Sequence, residues 1–179
     1  LPADADDVTA IESILWSSST TTNLTVNIVD RVATITPIDA NWNGSETVTF
    51  TATDDDGSNP LSDSDPATFT VTAVNDAPVV GDIPNQTVAE GATFATINLD
   101  DYVSDLETDD ADILWTFSGN SELTVAISSA RVATITIPNA NWNGAETITF
   151  TATDTGNLTD SDTATFTVTP INDPPNVTE

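Results

Sequence analysis

The fold of this chain is decided by residues 31–54, RVATITPIDANWNGSETVTFTATD, which return at residues 131–154 as RVATITIPNANWNGAETITFTATD. The two stretches agree at 19 of 24 positions with an offset of 100. A period of this length is too long for a solenoid repeat and suits whole domains in series. The chain is therefore predicted to contain two copies of one small domain.

Strict alternation of apolar and polar residues runs through both copies. In residues 47–53, TVTFTAT, every second residue is apolar and the others are threonine. Alternation with period two, broken by turn clusters such as NWNG at 41–44, indicates half-buried antiparallel strands, and no stretch carries a helical period. In the second copy we predict strands near 78–88, 93–98, 112–118, 122–127, 131–137, 146–153 and 163–171.

Seven strands in about 100 residues are typical of a β-sandwich of immunoglobulin size. We therefore expect an all-β chain of tandem seven-stranded Greek-key sandwiches, of which the first lacks its first strands. That domain has no counterpart of residues 78–98, because residues 1–16 align with about 99–115. The predicted domains are an incomplete sandwich at 1–76, a complete sandwich at 77–171, and a linker with the start of a next repeat at 172–179.

Composition excludes several classes of function. The net charge is −27, the only basic residues are Arg31 and Arg131, and Cys, His and Met are absent. Such a chain repels nucleic acids and anionic membranes, and it offers neither thiolate ligands nor the usual proton shuttle at neutral pH. No 18-residue apolar run predicts a membrane span. No acid stands alone in an apolar setting, so we expect no enzymatic activity.

The two ends of the chain are predicted to be complementary. The tail, DPPNVTE at 173–179, repeats the beginning of the segment that the first domain lacks. An open sandwich exposes strand edges that soluble monomers avoid, so the tail of one molecule is a candidate donor strand for the next. Head-to-tail assembly of identical copies would then give a filament. The alternative is that the sequence is a window on a longer repeat array.

Five segments together form a recognisable pattern: ATD at 52–54 with ATFTV at 67–71, VNDAP at 74–78, VAEG at 88–91, Asp105 with Glu107, and ILWTF at 113–117. They resemble cadherin repeats, most closely the cadherin-like repeats of bacterial and archaeal surface adhesins and biofilm proteins. The likeness covers the second copy and most of the first.

This resemblance implies secreted or cell-surface rods whose junctions are stiffened by Ca²⁺, an ion that takes six to eight oxygen ligands. Partners would be neighbouring repeats or copies of the chain itself. The alternative for these residues is that they are solvated loop acids and turn residues. The ligand residues that the resemblance implies are Asn75, Asp76, Asp105, Glu107 and Asp154 at one junction, Glu90 and Asp173 at the next, and Asp54.

Two further features suggest contact with sugars. Trp42 and Trp142 lie in polar NWNG turns, where an exposed ring would stack on a saccharide. The second function hypothesis is therefore a carbohydrate-binding module of a secreted polysaccharide-acting or biofilm protein, with glycans as partners. A secreted glycoprotein is also predicted by five N-x-[ST] glycosylation sequons. They begin at Asn23, Asn43, Asn85, Asn157 and Asn176.

Overall fold

The computed structural model describes residues 14–54 and 60–172. The chain divides into two compact units, Leu1–Val74 (unit 1) and Asn75–Glu179 (unit 2). Within the described ranges both units consist of β-strands and contain no α-helix, and two short 3-10 turns occur in unit 2. The predicted all-β class is confirmed.

Unit 1 consists of two small antiparallel sheets. One has the strand order β1-β4-β5, and the other is the hairpin of β2 and β3. The hairpin turns at Asp30 and Arg31, whose φ angles of 50° and 63° are those of a two-residue type I′ turn. The strands are β1 (Leu15–Ser18), β2 (Leu24–Val29), β3 (Val32–Pro37), β4 (Gly44–Thr53) and β5 (Ser62–Val71).

Unit 2 repeats both sheets and adds a strand to each. The larger sheet has the order β10-β13-β14-β7, with β7 parallel to β14. The second has the order β11-β12-β8, and β6 pairs with β9 in a short ribbon. The strands are β6 (Val79–Val80), β7 (Gln86–Ala89), β8 (Ile97–Asn98), β9 (Val103–Ser104), β10 (Leu114–Ser118), β11 (Thr124–Ile127), β12 (Val132–Thr136), β13 (Gly144–Thr153) and β14 (Thr159–Thr169).

The core of unit 2 lies between the inner faces of these sheets. Phe150 and Phe166 are fully buried, and Trp115 is also a core residue. Phe94 closes the core from the segment between β7 and β8. Its ring packs edge-on against Phe166 with the centroids 5.2 Å apart, a favoured aromatic geometry.

The predicted strand at 78–88 is split into β6 and β7. The backbone N–H groups of Val80, at the end of β6, and of Ile83, between the two strands, donate to the carboxylates of Asp160 and Asp162, at 2.8 and 2.7 Å. Because these acceptors are side chains of β14, the segment is held beside the sheet without a continuous backbone ladder. Residue alternation alone could not distinguish this arrangement from a strand.

Two other elements differ from the prediction. The strand expected at 93–98 is reduced to β8, and the two-residue β9 was not predicted. Both flank the 3-10 turn Leu99–Tyr102, which anchors the buried Leu99. The remaining predicted strands correspond to β10 to β14, with ends shifted by a few residues.

Unit 1 has no described strand in the positions of β7 and β8. Within the described residues, β5 pairs only with β4, and β3 only with β2. Phe50 and Phe69 are consequently only half-buried, whereas their counterparts Phe150 and Phe166 are completely buried. A cavity of about 380 Å³, here called the unit 1 groove, opens at this point. It is lined by Trp16, Ile28, Ala33, Ile35, Phe50 and Phe69, together with Arg31.

A glutamate ties one turn to the larger sheet in unit 2. Glu146 on β13 accepts the backbone N–H groups of Ser121, Glu122 and Leu123 at 2.6 to 3.1 Å and the Ser121 hydroxyl at 2.6 Å. Burial alone would raise the pKa of Glu146, but the hydrogen bonds from Ser121 and the turn outweigh it, and the pKa is lowered. The ionised form is therefore the one that the fold stabilises.

Unit 1 contains the same hydrogen-bonded arrangement. Glu46 on β4 accepts the backbone N–H groups of Thr22, Asn23 and Leu24 at 2.6 to 3.1 Å. The hydrogen bond from Thr22 is the largest cause of its lowered pKa. Each unit thus uses three N–H donors, rather than a basic side chain, to balance this carboxylate.

We expect Glu146→Gln to lower the free energy of unfolding at neutral pH. We also expect that free energy to fall less steeply as the pH is lowered. A carboxyl whose pKa is lower in the folded state stabilises the fold above its unfolded pKa of about 4.3 and loses that contribution as pH falls through the folded value. Urea unfolding, followed by circular dichroism between about pH 7 and pH 2, measures the effect.

The control for this experiment is Glu122→Gln, an exposed glutamate in the same turn. Its unfolding curves should stay close to those of the unmodified chain at each pH. If Glu146→Gln loses stability on acidification as steeply as the unmodified chain, the carboxylate does not hold the turn in the manner described.

Candidate functional site

An acidic loop at one end of unit 2 is organised by Asp105. Its Oδ1 atom accepts the backbone N–H groups of Glu107 and Thr108 at 2.9 and 2.7 Å, which closes a tight Asx turn. Its Oδ2 atom is buried and has no hydrogen-bond partner among the described residues. A buried carboxylate oxygen without a donor is costly unless a ligand or ion completes it.

Asn75 and Asp76 join this loop to a second one. The Asn75 side-chain amide donates to Asp154 Oδ2 at 2.7 Å and to the Asp76 carbonyl at 3.1 Å. The backbone N–H of Asp76 donates to Glu107 Oε2 at 3.1 Å. All of these residues belong to unit 2. The structure therefore links the five residues implied for the first junction in one hydrogen-bonded chain, which we call the linker network.

Asp154 anchors the loop that follows β13. Its Oδ1 atom accepts the Leu158 N–H at 2.8 Å, and the side chain is 5% exposed. Burial would raise the pKa of Asp154, but the hydrogen bonds from Asn75 and from the loop backbone lower it. The hydroxyls of Thr108 and Thr155 lie 3.2 Å apart and connect the two loops.

The linker network holds oxygen atoms suited to a hard cation, but they do not converge. Among the described residues, no group of three or more acidic side chains lies close enough together to hold a metal ion. Instead, the carboxylates of Asp105, Glu107 and Asp154 accept hydrogen bonds from N–H groups. The donor set, made of carboxylate and amide oxygens with one orphaned carboxylate oxygen on Asp105, fits Ca²⁺ chemistry.

Glu90 lies in a separate site of unit 2. Its two oxygens accept the Asn143 side-chain amide at 2.9 Å and the backbone N–H of Ile171 at 2.5 Å. The hydrogen bond from Ile171 is the largest cause of its lowered pKa. Glu90 is therefore placed beside the end of β14, while Asp173, its implied partner, lies outside the described residues.

Asp54 occupies in unit 1 the position of Asp154 in unit 2. Its N–H donates to the Leu61 carbonyl and its Oδ1 accepts the Leu61 N–H, both at 3.0 Å. The same pair of contacts is made by Asp154 with Leu158. The aspartate after each long strand thus closes a loop in both units.

The two turn tryptophans are half-buried rather than open. Trp142 packs against the core of unit 2. A side chain on Gly144 would come within 3.0 Å of its ring, and one on Gly44 within 3.2 Å of the Trp42 ring. Each ring therefore covers the glycine two residues on, so only part of it is open to a sugar. Stacking on a saccharide stays a prediction.

Four of the five sequons lie in the described residues. Asn43, Asn85 and Asn157 are exposed, and Asn23 is partly buried. Asn85 Oδ1 accepts the Thr165 N–H at 2.6 Å. Asn176 lies outside the described range. Nothing in these positions decides whether a glycan is attached, and glycosylation stays a prediction.

Sequence reasoning missed several residues of the linker network. Thr108 and Thr155 carry no motif that sets them apart from the many other threonines. Gly156 is needed because a Cβ there would lie 2.6 Å from the Asn75 side chain. The Thr155-Gly156 pair after Asp154 could have indicated this position, since a glycine beside a predicted ligand often marks a place where another group approaches the backbone closely.

The family of the chain follows from its sequence. Residues 75–169, more than half of the chain, match the family model described as a bacterial Ig domain. The chain belongs to the bacterial Ig domain family. Domains of this cadherin and immunoglobulin type are often extracellular adhesion modules. No curated protein matches the sequence closely enough to count as a relative.

Solved structures agree with this fold. The chain is similar to human protocadherin-24 EC1-2 (TM-score 0.57, 11% identity), covering 96% of this chain and 85% of that chain. It is also similar to Drosophila N-cadherin EC1-4 (TM-score 0.55, 19% identity, 88% and 41%) and to mouse cadherin-23 EC22-24 (TM-score 0.55, 17% identity, 89% and 53%). Identities this low show the fold alone, and they confirm the cadherin-like prediction at that level.

The coverage of these structures limits what the similarities carry over to this chain. The chain spans less than half the length of the first protocadherin gamma structures that it matches, at 41%, 42% and 33%. Their assemblies and partners therefore remain properties of those proteins.

In the described residues, no helix is long and apolar enough to cross a membrane.

We predict that Gly156→Ala lowers the melting temperature of the chain. The new Cβ would lie 2.6 Å from the Asn75 side chain, which must move away from Asp154 and leave that carboxylate with one donor fewer. Gly81→Ala is the matched control, because its Cβ would meet only the Tyr102 carbonyl at 3.9 Å. Equal melting temperatures for the two variants, by differential scanning calorimetry, would show that the Asn75 contact does not stabilise unit 2.

Proposed function

We propose that this chain is an extracellular structural module of a fibre or surface adhesin, placed at the cell surface or secreted, with no enzymatic activity. Two near-copies of one sandwich, membership of the bacterial Ig domain family and an almost base-free surface support this role. The observation that carries it is the pair of units: among the described residues, β3 and β5 of unit 1 pair on one edge only, whereas in unit 2 the corresponding strands also pair with β8 and β7. A module with open edges is suited to joining other repeats.

The proposed junction binds Ca²⁺ through the linker network. Asn75, Asp76, Asp105, Glu107 and Asp154 would hold the ion, and the buried Asp105 Oδ2 atom is the group most in need of it. When bound, the ion supplies the positive charge that the surface lacks. The chain's own part is to hold the loops together through Asn75 and to orient the Asp105 carboxylate by its Asx turn.

A second Ca²⁺ junction would use Glu90 with Asp173. Glu90 already accepts the Ile171 N–H, which brings the end of β14 beside its carboxylate. Asp54 is the corresponding acid of unit 1 and would serve the junction at that unit. These assignments follow the repeat, since Asn172 and Asp173 repeat Asn75 and Asp76.

Copies of the chain would join head to tail through residues 172–179. The tail repeats residues 75–82 with an offset of 97, so that Val177 corresponds to Val80. In unit 2 the Val80 N–H donates to Asp160, and the counterpart of Asp160 in unit 1 is the exposed Asp63. The tail of one molecule would therefore lie along β5 of the next, in a heterologous contact that does not close.

The carbohydrate-binding alternative has less support. Trp142 packs against the core and covers Gly144, and Trp42 covers Gly44 in the same way. No described contact favours a sugar over these packing roles. In this alternative, a glycan would contact the exposed part of each ring.

Removing Ca²⁺ is expected to lower the melting temperature. An ion that binds only the folded state adds RT ln(1 + [L]/Kd), about 2.7 kcal/mol at a concentration of about 100 Kd. Melting should be followed by calorimetry in EDTA and in millimolar CaCl₂. Identical curves under the two conditions would contradict the Ca²⁺ proposal.

The matched variants are Asp105→Asn and Asp109→Asn. Asparagine at position 105 can still close the Asx turn through its Oδ1 atom, but it loses one anionic oxygen. Asp105→Asn should therefore weaken the response to CaCl₂, while the exposed Asp109→Asn should preserve it. An equal response in both variants would place the ion elsewhere.

Deleting residues 172–179 is expected to convert filaments into monomers. The deletion removes the segment that would lie along β5 of the next molecule, and negative-stain microscopy with light scattering measures the outcome. A chain in which the order of residues 174–179 is scrambled is the control for length and charge, and it should also fail to assemble. Unchanged filaments after the deletion would rule out assembly through this tail.

A further inference from the structure

We propose that a pocket in unit 2 binds an N-acetylated sugar, whose acetamido group is held by Trp115. The pocket, here called the unit 2 pocket, has a volume of about 280 Å³ and opens between β10 and the turn that joins β11 to β12. Its apolar lining residues include Ile113, Trp115 and Ile127, and its polar ones are Ser128, Ser129 and Arg131. All of them are described residues of unit 2, so this inference depends neither on the Ca²⁺ junction nor on assembly.

The indole N–H of Trp115 is the group of this pocket that most needs a ligand. The Trp115 side chain is 6% exposed, and its Nε1 atom is buried without a hydrogen-bond partner among the described residues. In that part of the chain, the one other buried side-chain atom in this state is Asp105 Oδ2 of the linker network. Buried donors nearly always have an acceptor, because leaving one without a partner is costly. Since Trp115 lines the unit 2 pocket, an oxygen atom of a ligand bound there would supply the acceptor.

The apolar lining favours a ligand with a methyl group beside that oxygen. Ile113 is buried, and Ile127 packs against the core of unit 2. A single water molecule is a poorer match, because a buried water needs two to four polar partners and these side chains supply none. A carbonyl group that carries a methyl group meets both demands. Its oxygen accepts the indole N–H, and its methyl group contacts the two isoleucines.

Charge selects a neutral ligand. Arg131 already donates through Nε and Nη2 to the Asp100 carboxylate, at 2.6 and 2.8 Å, and through Nη1 to the Ala111 carbonyl at 3.2 Å. Asp110 and Asp112 add negative charge near the same guanidinium group. A carboxylate in the unit 2 pocket would therefore meet more negative than positive charge and be repelled. An acetamido group is neutral and avoids this repulsion.

Two serines distinguish a sugar from a smaller amide. Ser128 and Ser129 are exposed at the rim of the pocket. The Ser128 hydroxyl oxygen accepts the Val132 N–H at 3.2 Å, which leaves the hydroxyl hydrogen available for donation. Sugar hydroxyls both donate and accept, so they can pair with both serines. The corresponding turn of unit 1, VDR at 29–31, contains no serine, so this feature belongs to unit 2.

The volume of the pocket limits the size of the ligand. Pockets for drug-sized ligands measure about 300–1,000 Å³. The unit 2 pocket, at about 280 Å³, therefore suits one sugar ring with its acetamido group. A single ring with few polar contacts should bind with a dissociation constant of about 1 mM. In a surface module, such a site would provide a contact with a glycan.

The test is an NMR titration of the ¹⁵N-labelled full chain with the methyl glycoside of N-acetylglucosamine. The chain has four tryptophans and hence four indole N–H signals, and Trp115→Phe identifies the Trp115 signal by removing it. We expect that signal to shift and to saturate. Methyl glucoside lacks the acetamido group and should bind about tenfold more weakly, as for a lost hydrogen bond. Acetamide lacks the sugar hydroxyls and should also bind more weakly than the glycoside.

Matched variants of the turn locate the binding site. Ser129→Leu fills the unit 2 pocket and removes a hydroxyl, whereas Ala130→Leu puts the same side chain at an adjacent position that does not line the pocket. Both positions are exposed, so both variants should fold, as circular dichroism would verify. Ser129→Leu should abolish the shift of the Trp115 signal, and Ala130→Leu should preserve it.

Four results would overturn the proposal. They are a Trp115 signal that does not move in the unmodified chain, equal responses of the two leucine variants, equal binding of methyl glucoside, and equal binding of acetamide. The last result would show that the pocket recognises an amide and not a sugar. None of the four bears on the Ca²⁺ junction or on the tail contact, which are tested by melting in EDTA and by microscopy of the tail-deleted chain.

Discussion

The structure depends on covering the apolar inner faces of two small sheets. Alternation puts every second side chain on the inner face, and burying that face is the main favourable contribution to folding, about 25 cal/mol per Å². In unit 2, β7, β8 and Phe94 complete the cover, and the core between the sheets is fully enclosed. In unit 1 nearly the same residues line the unit 1 groove, so among the described residues the two copies differ in how far the inner faces are covered.

The second constraint is charge. With only two basic residues, the chain cannot balance its carboxylates with ion pairs, and backbone and side-chain N–H groups take that role. Glu46, Glu90, Glu146 and Asp154 all accept such donors, and each has a lowered pKa. Through these hydrogen bonds, the carboxylates hold turns and loops against the sheets. Asp105 differs from these four, because one of its oxygens is buried without a donor among the described residues.

These two constraints bear on the same biological role. A surface that is almost free of bases repels other copies except where cations or specific contacts intervene, which limits unspecific association. The chain belongs to the bacterial Ig domain family, and its two units repeat one sequence.

The sequence by itself determined the all-β class, the repeat and the long strands, because period-two alternation is a local signal and an internal copy is visible in the sequence. The set of acids around Asn75 and Asp154 was implied by the resemblance to cadherin repeats. It also led to the prediction that the first domain lacks its first strands. Only the tertiary structure decided that the N–H groups of Val80 and Ile83 donate to aspartate side chains of β14, and that the acids of the linker network accept N–H groups without converging. Those outcomes depend on which groups meet across the sheets, and no local pattern records contacts between residues about 80 positions apart.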